Sequence, residues 1–296
     1  MGWAALGVLA FSLSFPATVL AERGFDPYLV GAGRSVIAAA LAGACLIAAR
    51  APLPSRTHWP GLLAVAVGCG IGFGLLSALA LRNTSSSHAA VVIGMLPAAT
   101  ALAAVARSGD RPGPLFWLAS ACGTAIVLLY TLARGTGGVD SSDLLLLAAL
   151  LIAAVGYAEG GRLARAMPGW QVIAWGVLIA LPISLPVAAI ALALHPPIDP
   201  GASALAGFAY VSVISMFLGF FFWYRGLAEA GVARASQLQL TQPLLTIVWS
   251  ALLLGEPLTA GVVVAAIGVA TCVLVTQRTR TTPKSPPLLA ATEEAS

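Results

Sequence analysis

Charge is what this sequence has least of. Only 9% of its 296 residues are Asp, Glu, Lys or Arg and 59% are hydrophobic, where soluble proteins carry about a quarter charged residues. With a mean hydropathy of +0.94, too little polar material exists to coat a water-facing surface, which excludes an ordinary soluble domain. Cysteine is scarce too. Cys45, Cys69, Cys122 and Cys272 each sit inside an apolar run with no CxxC or Cys/His spacing, so neither a metal nor a redox site is expected. There is no GxxxxGK(S/T), no HExxH and no GxSxG, and His58, His88 and His195 read as loop or span-end residues. Nucleotide hydrolysis, zinc chemistry and serine-nucleophile chemistry therefore lack their parts. The chain is expected to be no enzyme and to need no cofactor. Its net charge of +4 would suit nucleic acid, but the basic residues stand singly between apolar runs. They read as topology markers, and no nucleic-acid partner is expected.

What the sequence has in abundance is apolar runs of membrane-spanning length. About twenty residues cross the roughly 30 Å hydrocarbon layer, and ten such stretches can be placed at 3–21, 28–49, 60–81, 88–106, 114–133, 143–161, 170–192, 203–224, 235–254 and 258–276. The first is as apolar as a signal-peptide core but has no Lys or Arg ahead of it, and it reads as a retained helix. With the N-terminus inside, eleven of the fifteen basic residues fall on the cytoplasmic side: Arg50, Arg56, Arg107, Arg111, Arg162, Arg165, Arg225, Arg234, Arg278, Arg280 and Lys284. Arg23, Arg82 and Arg134 fall outside, and Arg34 lies within the second span. That asymmetry predicts an all-α integral membrane protein with both termini cytoplasmic. The tail 277–296, rich in Thr, Pro and charge, is expected to be disordered there.

A shift of 146 residues places Pro97 on Pro243, Thr100 on Thr246 and Asp110 on Glu256, so both halves read proline, twelve residues, acid. This predicts an internal duplication, 3–133 and 143–276, with five spans in each half. Five is odd, so the second half enters the membrane inverted relative to the first. Inverted repeats can frame a central cavity that opens to either side by turn, with substrate near the midplane. Pro97 and Pro243 lie near the middles of the fourth and ninth spans, where kinks would shape such a cavity or simply pack against neighbours.

Polar residues within spans are the candidates for contact with a solute. Gln239, Gln242, Thr246 and Trp249 form one stripe of the ninth span, with Ser236 beside it, while Thr100 alone is polar at the matching face of the fourth. Such a face should point inward, toward a ligand or a neighbouring helix. Ser12 and Ser14, Tyr157, Trp175, and Tyr210 with Ser215 are further candidates. Arg34 could attract an anionic group or snorkel to headgroups, and its depth argues against a direct pair with Glu159. Glu159 could carry a coupling proton or pair with Arg162 three residues on. Gly68, Gly70, Gly72 and Gly74 in the third span allow close helix approach. Trp3, Trp59, Trp117, Trp170, Trp223 and Tyr224 are expected in the interfacial belt, and Asp110 and Glu256 at the starts of the fifth and tenth helices.

Phe221-Phe222-Trp223-Tyr224-Arg225-Gly226-Leu227, Ala233-Arg234-Ala235-Ser236, and Gln242-Pro243 through Leu252-Leu253-Leu254-Gly255-Glu256-Pro257 resemble the EamA-type domain of the drug/metabolite transporter superfamily. The first half is a poorer copy, with Asp110 standing in Ser108-Gly109-Asp110-Arg111-Pro112 without a preceding leucine run. The resemblance covers 3–276 as two halves. It implies ten helices in inverted five-helix repeats, a bacterial cytoplasmic membrane, and export or exchange of small metabolites such as amino acids. The partners so implied are a small-molecule substrate and the lipid bilayer, with a homo-oligomer left open. A membrane sensor or assembly factor that carries nothing is the competing expectation, and a lipid-modifying enzyme a more distant one.

Overall fold

The computed structural model describes residues 2–108, 113–133, 140–197, 199–230 and 238–278. Among these residues all regular structure is helical, in ten stretches joined by short connections. We number them α1 (Gly2–Glu22), α2 (Pro27–Ala48), α3 (Arg56–Leu81), α4 (Ser86–Ile93 and Leu96–Ser108) and α5 (Pro114–Ala133). Then follow α6 (Ser141–Leu163), α7 (Gly169–Leu194), α8 (Ala202–Ala209, Tyr210–Leu218 and Gly219–Ala230), α9 (Gln242–Leu254) and α10 (Ala260–Arg278). Six are long and apolar enough to cross a bilayer: α1, α2, α3, α6, α7 and α8. The apolar helices α4, α5, α9 and α10 are shorter.

Local sequence explains where the helices begin. Asp26 accepts the Tyr28 amide at 2.9 Å with Pro27 opening α2, and Asp140 and Asp143 form a reciprocal capping box on α6. Side chains such as Ile47 (79% exposed), Leu129, Leu252 and Val264 project from the outside of the bundle, where only lipid would accept so much apolar surface. Inside, α3 is held by its glycines. A side chain on Gly68 would collide with the Ile152 carbonyl of α6, and one on Gly70 would lie 3.3 Å from the Gly176 carbonyl of α7. The Ser35 hydroxyl of α2 donates to the Gly70 carbonyl at this same crossing. The glycines thus serve close packing.

The helices pair in a regular way. α2 packs chiefly on α7, α5 on α10, and the N-terminal part of α4 on α9. Helix α1 packs on α8 as α3 does on α6, and α8 meets α2 as α3 meets α7. Both α3 and α8 carry a wide, π-type segment in the middle, at Ala66–Gly72 and Tyr210–Leu218. Such segments often mark functional sites because they free backbone groups and re-aim side chains.

Three details differ from expectation. Trp223 and Tyr224 are not in an interfacial belt but buried, at 2% and 1% exposure. They fit because Gly7 and Gly169 leave room: a Cβ on Gly7 would lie 3.0 Å from the Trp223 backbone. Glu256 is not in the first turn of α10, which begins at Ala260. His88 stands at the start of α4, a span end as expected, but is fully buried. Asp110, Ser236 and the tail from 279 onward lie outside the described residues.

Candidate substrate-binding cavity

Helix α4 stops and restarts, and 146 residues on the helical residues Leu238 and Gln239 stop just before α9 begins. In α4 the Met95 amide bonds the Val92 carbonyl at 3.2 Å and the Ala99 amide bonds Met95 at 2.9 Å. At the entry to α9 the Thr241 amide bonds the Leu238 carbonyl at 3.0 Å and the Leu245 amide bonds the Thr241 carbonyl at 3.0 Å. The expected kinks at Pro97 and Pro243 thus take the form of a break two residues earlier. Each proline sits in the first turn of the new helical segment, where its missing N–H would have had no partner anyway. The two breaks touch, and a Cβ on Gly94 would lie 3.1 Å from Pro243 Cγ.

Two small cavities meet at this crossing. The first, about 20 Å³, is lined by Gly94, Pro97, Gln239, Gln242, Pro243 and Thr246 among others. The second, about 30 Å³, lies among α1, α2, α3, α6, α8 and α9, and its polar lining is Ser14, Arg34, Tyr157, Ser215 and Gln242. Phe15, Leu96 and Gln242 line both, so they form the partition between two lobes of one site. Phe11, Phe73 and Phe220 supply the apolar wall. This volume holds a water or two. Anything larger fits only if the partition and the aromatic wall move.

Of the candidates on the ninth span, Gln239 and Gln242 face the site, and the Oε1 of Gln242 is buried with no hydrogen-bond partner. Thr246 lines the first cavity and donates to the Ser12 carbonyl at 2.8 Å, while Trp249 Nε1 donates to the Ser12 hydroxyl at 3.1 Å. Ser12 and Trp249 therefore tie α1 to α9 and line neither cavity. Ser14 and Ser215 share a 2.7 Å hydrogen bond across the second cavity. Tyr210 donates to the Ala10 carbonyl at 3.0 Å, Trp175 packs against the apolar core shared by α1, α2, α3, α6, α7 and α8, and Thr100 Oγ1 is buried without a partner. These three are outside the lining of both lobes.

The charged groups divide clearly. Arg34 is 4% exposed, so it does not snorkel, and its guanidinium lines the second cavity. Among the described residues its one hydrogen-bond contact is weak, Nη2 at 3.7 Å from Met216 Sδ, and its Nε has none. Gly74 makes the room, since a Cβ there would sit 3.2 Å from Nε. Glu159 is bound by Arg162 at 2.9 and 3.0 Å and lines neither lobe. Glu159→Gln should therefore leave the proton dependence of flux unchanged in proteoliposomes, and a lost dependence would place a coupling proton on this carboxylate.

A second polar cluster was not legible from sequence. The Glu256 carboxylate accepts the Ser86 amide at 2.8 Å, the Ser87 amide at 2.9 Å and the Ser87 hydroxyl at 2.5 Å, so it caps α4 from the far half of the chain. Gly255 makes this reach possible. It takes the left-handed conformation (φ 72°) at the end of α9, its amide bonds Ala251, and the Glu256 amide turns back to Ser250 at 3.3 Å. Ser250 also bonds Ser86 at 2.9 Å. Next to it, His88 Nε2 lies 2.6 Å from Asp143 Oδ1 and the imidazole stacks on Tyr130.

These features define a polytopic helical membrane protein with a small polar site where two broken helices cross. Residues 1–132 and 140–277 both match the EamA-like transporter family, and the chain belongs to that family. It is similar to a protein of Bacillus subtilis (strain 168) described as the uncharacterized transporter YdeK, at 43% identity over 277 residues, covering 92% of this chain and 95% of the relative. A crystal structure with 19% identity superposes at a TM-score of 0.65, covering 94% of this chain and 96% of the other, which shows a shared fold.

Proposed function

We propose that the protein is a secondary transporter that moves a small amphiphilic metabolite outward, or exchanges it, across the bacterial cytoplasmic membrane by alternating access. In this reading the chain crosses the bilayer ten times, as inverted five-helix halves 3–133 and 143–276, with both termini cytoplasmic. The observation that carries it is the pair of breaks in α4 and α9, which share one hydrogen-bond pattern at one offset and meet at the cavity. Interrupted helices at corresponding positions of two halves mark the substrate site in carriers built from inverted repeats. The helix pairings support the same reading. Exchanging each helix of one half for its counterpart turns α1 on α8 into α6 on α3, and α2 on α8 into α7 on α3. The name of the Bacillus relative adds a transporter to this picture.

Mechanically, two similar halves give two conformations of similar energy, and the breaks supply the hinges. Energy comes from gradients, because neither the sequence motifs nor the described fold offers a nucleotide site. The purified protein should be stabilised against thermal unfolding by at least one class among amino acids, nucleosides, sugars and organic cations. Gln242→Ala should remove that shift, since Gln242 lines both lobes. Trp249→Ala should lower the baseline stability, by loosening α1 from α9, more than it changes the shift. A complete lack of ligand stabilisation, together with no flux in proteoliposomes, would favour a membrane protein that transports nothing.

A further inference from the structure

We propose that the cavity recognises a solute bearing a carboxylate, which pairs with Arg34, and an apolar moiety that rests on Phe11, Phe73 and Phe220. The inference rests on the transporter reading and names its substrate class.

Arg34 carries an unbalanced charge. A buried ion without a partner costs several kcal/mol, so buried guanidinium groups are normally paired. Arg34 is buried, aimed into the second cavity, and has only a thioether contact; its Nε is unbonded. Glu22, whose Oε1 is buried without a hydrogen-bond partner, lines a separate cavity with Arg23 and Arg82 and not the lobe of Arg34, and the other described acids near the bundle interior are already taken. Glu159 is held by Arg162, Asp143 by His88 and the α6 capping box, and Glu256 by the α4 N-terminus. Among the described residues none supplies a carboxylate to Arg34, so the counter-ion that completes the site comes from outside the chain.

The shape of the charge selects the chemistry. A guanidinium presents a planar fork of N–H donors that matches a carboxylate in a bidentate pair. Around it the site offers the Ser14 and Ser215 hydroxyls and the unpartnered Oε1 of Gln242, which can accept from a donor elsewhere on the solute. The rest of the lobe is aromatic and aliphatic, Phe11, Phe15, Phe73, Leu96 and Phe220, with the Tyr157 phenol and the Cys69 thiol among them. A dianionic phosphate would find one cation and an apolar wall, and an organic cation would face Arg34 itself. A monocarboxylate with an apolar body, with or without an amino group that donates to Gln242, satisfies both parts. Export of such an anion also needs no coupling proton, because an inside-negative potential favours its exit by about 2.3 kcal/mol per charge for each 100 mV.

Three compounds of one shape test this: phenylacetate, phenylacetamide and phenethylamine, each measured by thermal unfolding of the purified wild-type protein and of Arg34→Gln and Arg34→Lys. Phenylacetate should raise the unfolding temperature and the other two should not. Arg34→Gln should weaken the apparent affinity by roughly 10- to 100-fold, the size of a charge-assisted hydrogen-bond pair, and Arg34→Lys should restore part of it. Because Arg34→Gln removes an unpaired buried charge, the variant should unfold no lower than wild type without ligand. Equal shifts from the amide or the amine, a phenylacetate shift that survives Arg34→Gln, or no phenylacetate shift in the wild type would each overturn the proposal. Counterflow of phenylacetate in proteoliposomes separates the two levels. Binding lost in Arg34→Gln with no counterflow would leave the anion site standing and remove the transporter reading, whereas counterflow of phenethylamine alone would do the reverse.

Discussion

Gly94→Leu is expected to lower flux by roughly 10- to 100-fold while the protein still reaches the membrane, an overpacking cost of about 1–3 kcal/mol placed on one conformation. The reason is local. Gly94 stands at the break of α4, where a Cβ would already lie 3.1 Å from Pro243 Cγ and 3.0 Å from the Val91 carbonyl. The atoms of a leucine beyond Cβ have too little free volume at that crossing, because the adjoining cavity measures only about 20 Å³. They would wedge the two broken helices apart or lock them together, and in either case remove the hinge. Gly94→Ala should have a milder effect of the same sign. Wild-type flux in Gly94→Leu would mean that the crossing of α4 and α9 is a static packing contact.

The second large effect is expected at Glu256. Replacing it by alanine leaves the Ser86 and Ser87 amides at the start of α4 without their acceptor, and leaves the Ser250–Ser86 hydrogen bond to join the end of α9 to the start of α4. Each hydrogen bond to a charged group contributes about 1.5–3 kcal/mol. Allowing for water reaching a partly buried end, we expect Glu256→Ala to destabilise the fold by about 2–4 kcal/mol. Glu256→Gln keeps one acceptor oxygen and should recover about half of that. Thermal unfolding of the purified variants measures both. An unchanged unfolding temperature in Glu256→Ala would show that the cap adds nothing to holding the halves together.

This residue also shows where reading the sequence stops. The Leu-Leu-Leu-Gly-Glu-Pro motif is visible as a helix end, and a left-handed glycine followed by proline explains it locally. The partner of Glu256 is another matter, because Ser86 lies 170 residues away in the chain and nothing in the periodicity joins them. His88 and Asp143 pose the same problem at a separation of 55 residues. His88 reads as a span-end residue and stands at the capped start of α4, but its burial against Asp143 and Tyr130 has no signal in the sequence.

The cavity was legible where its residues are polar. Gln239, Gln242, Thr246, Ser14, Ser215, Tyr157 and Arg34 stand out in apolar runs, and all of them line one lobe or the other. Ser12 and Trp249 carry the same signal but spend their hydrogen bonds on joining α1 to α9. An isolated polar residue in a span indicates only that it faces protein. The phenylalanines of the wall gave no signal, because an aromatic ring in a membrane helix suits lipid, core and cavity equally. The breaks were half legible: Pro97 and Pro243 mark the two helices, but the backbone yields at Gly94-Met95 and Leu240-Thr241, ahead of each proline.

The central claim is that the two halves enter the membrane upside down relative to each other, and it can be tested at one pair of equivalent loops. The connection between α2 and α3 contains Leu53, which is 80% exposed, and its counterpart between α7 and α8 contains Pro197. In a chain whose four cysteines are replaced by alanine, Leu53→Cys and Pro197→Cys are each treated in intact cells with a membrane-impermeant maleimide. The account predicts that position 197 is labelled from outside, and that position 53 is labelled only after the cytoplasmic face is opened. Labelling of both positions from the same side would contradict it.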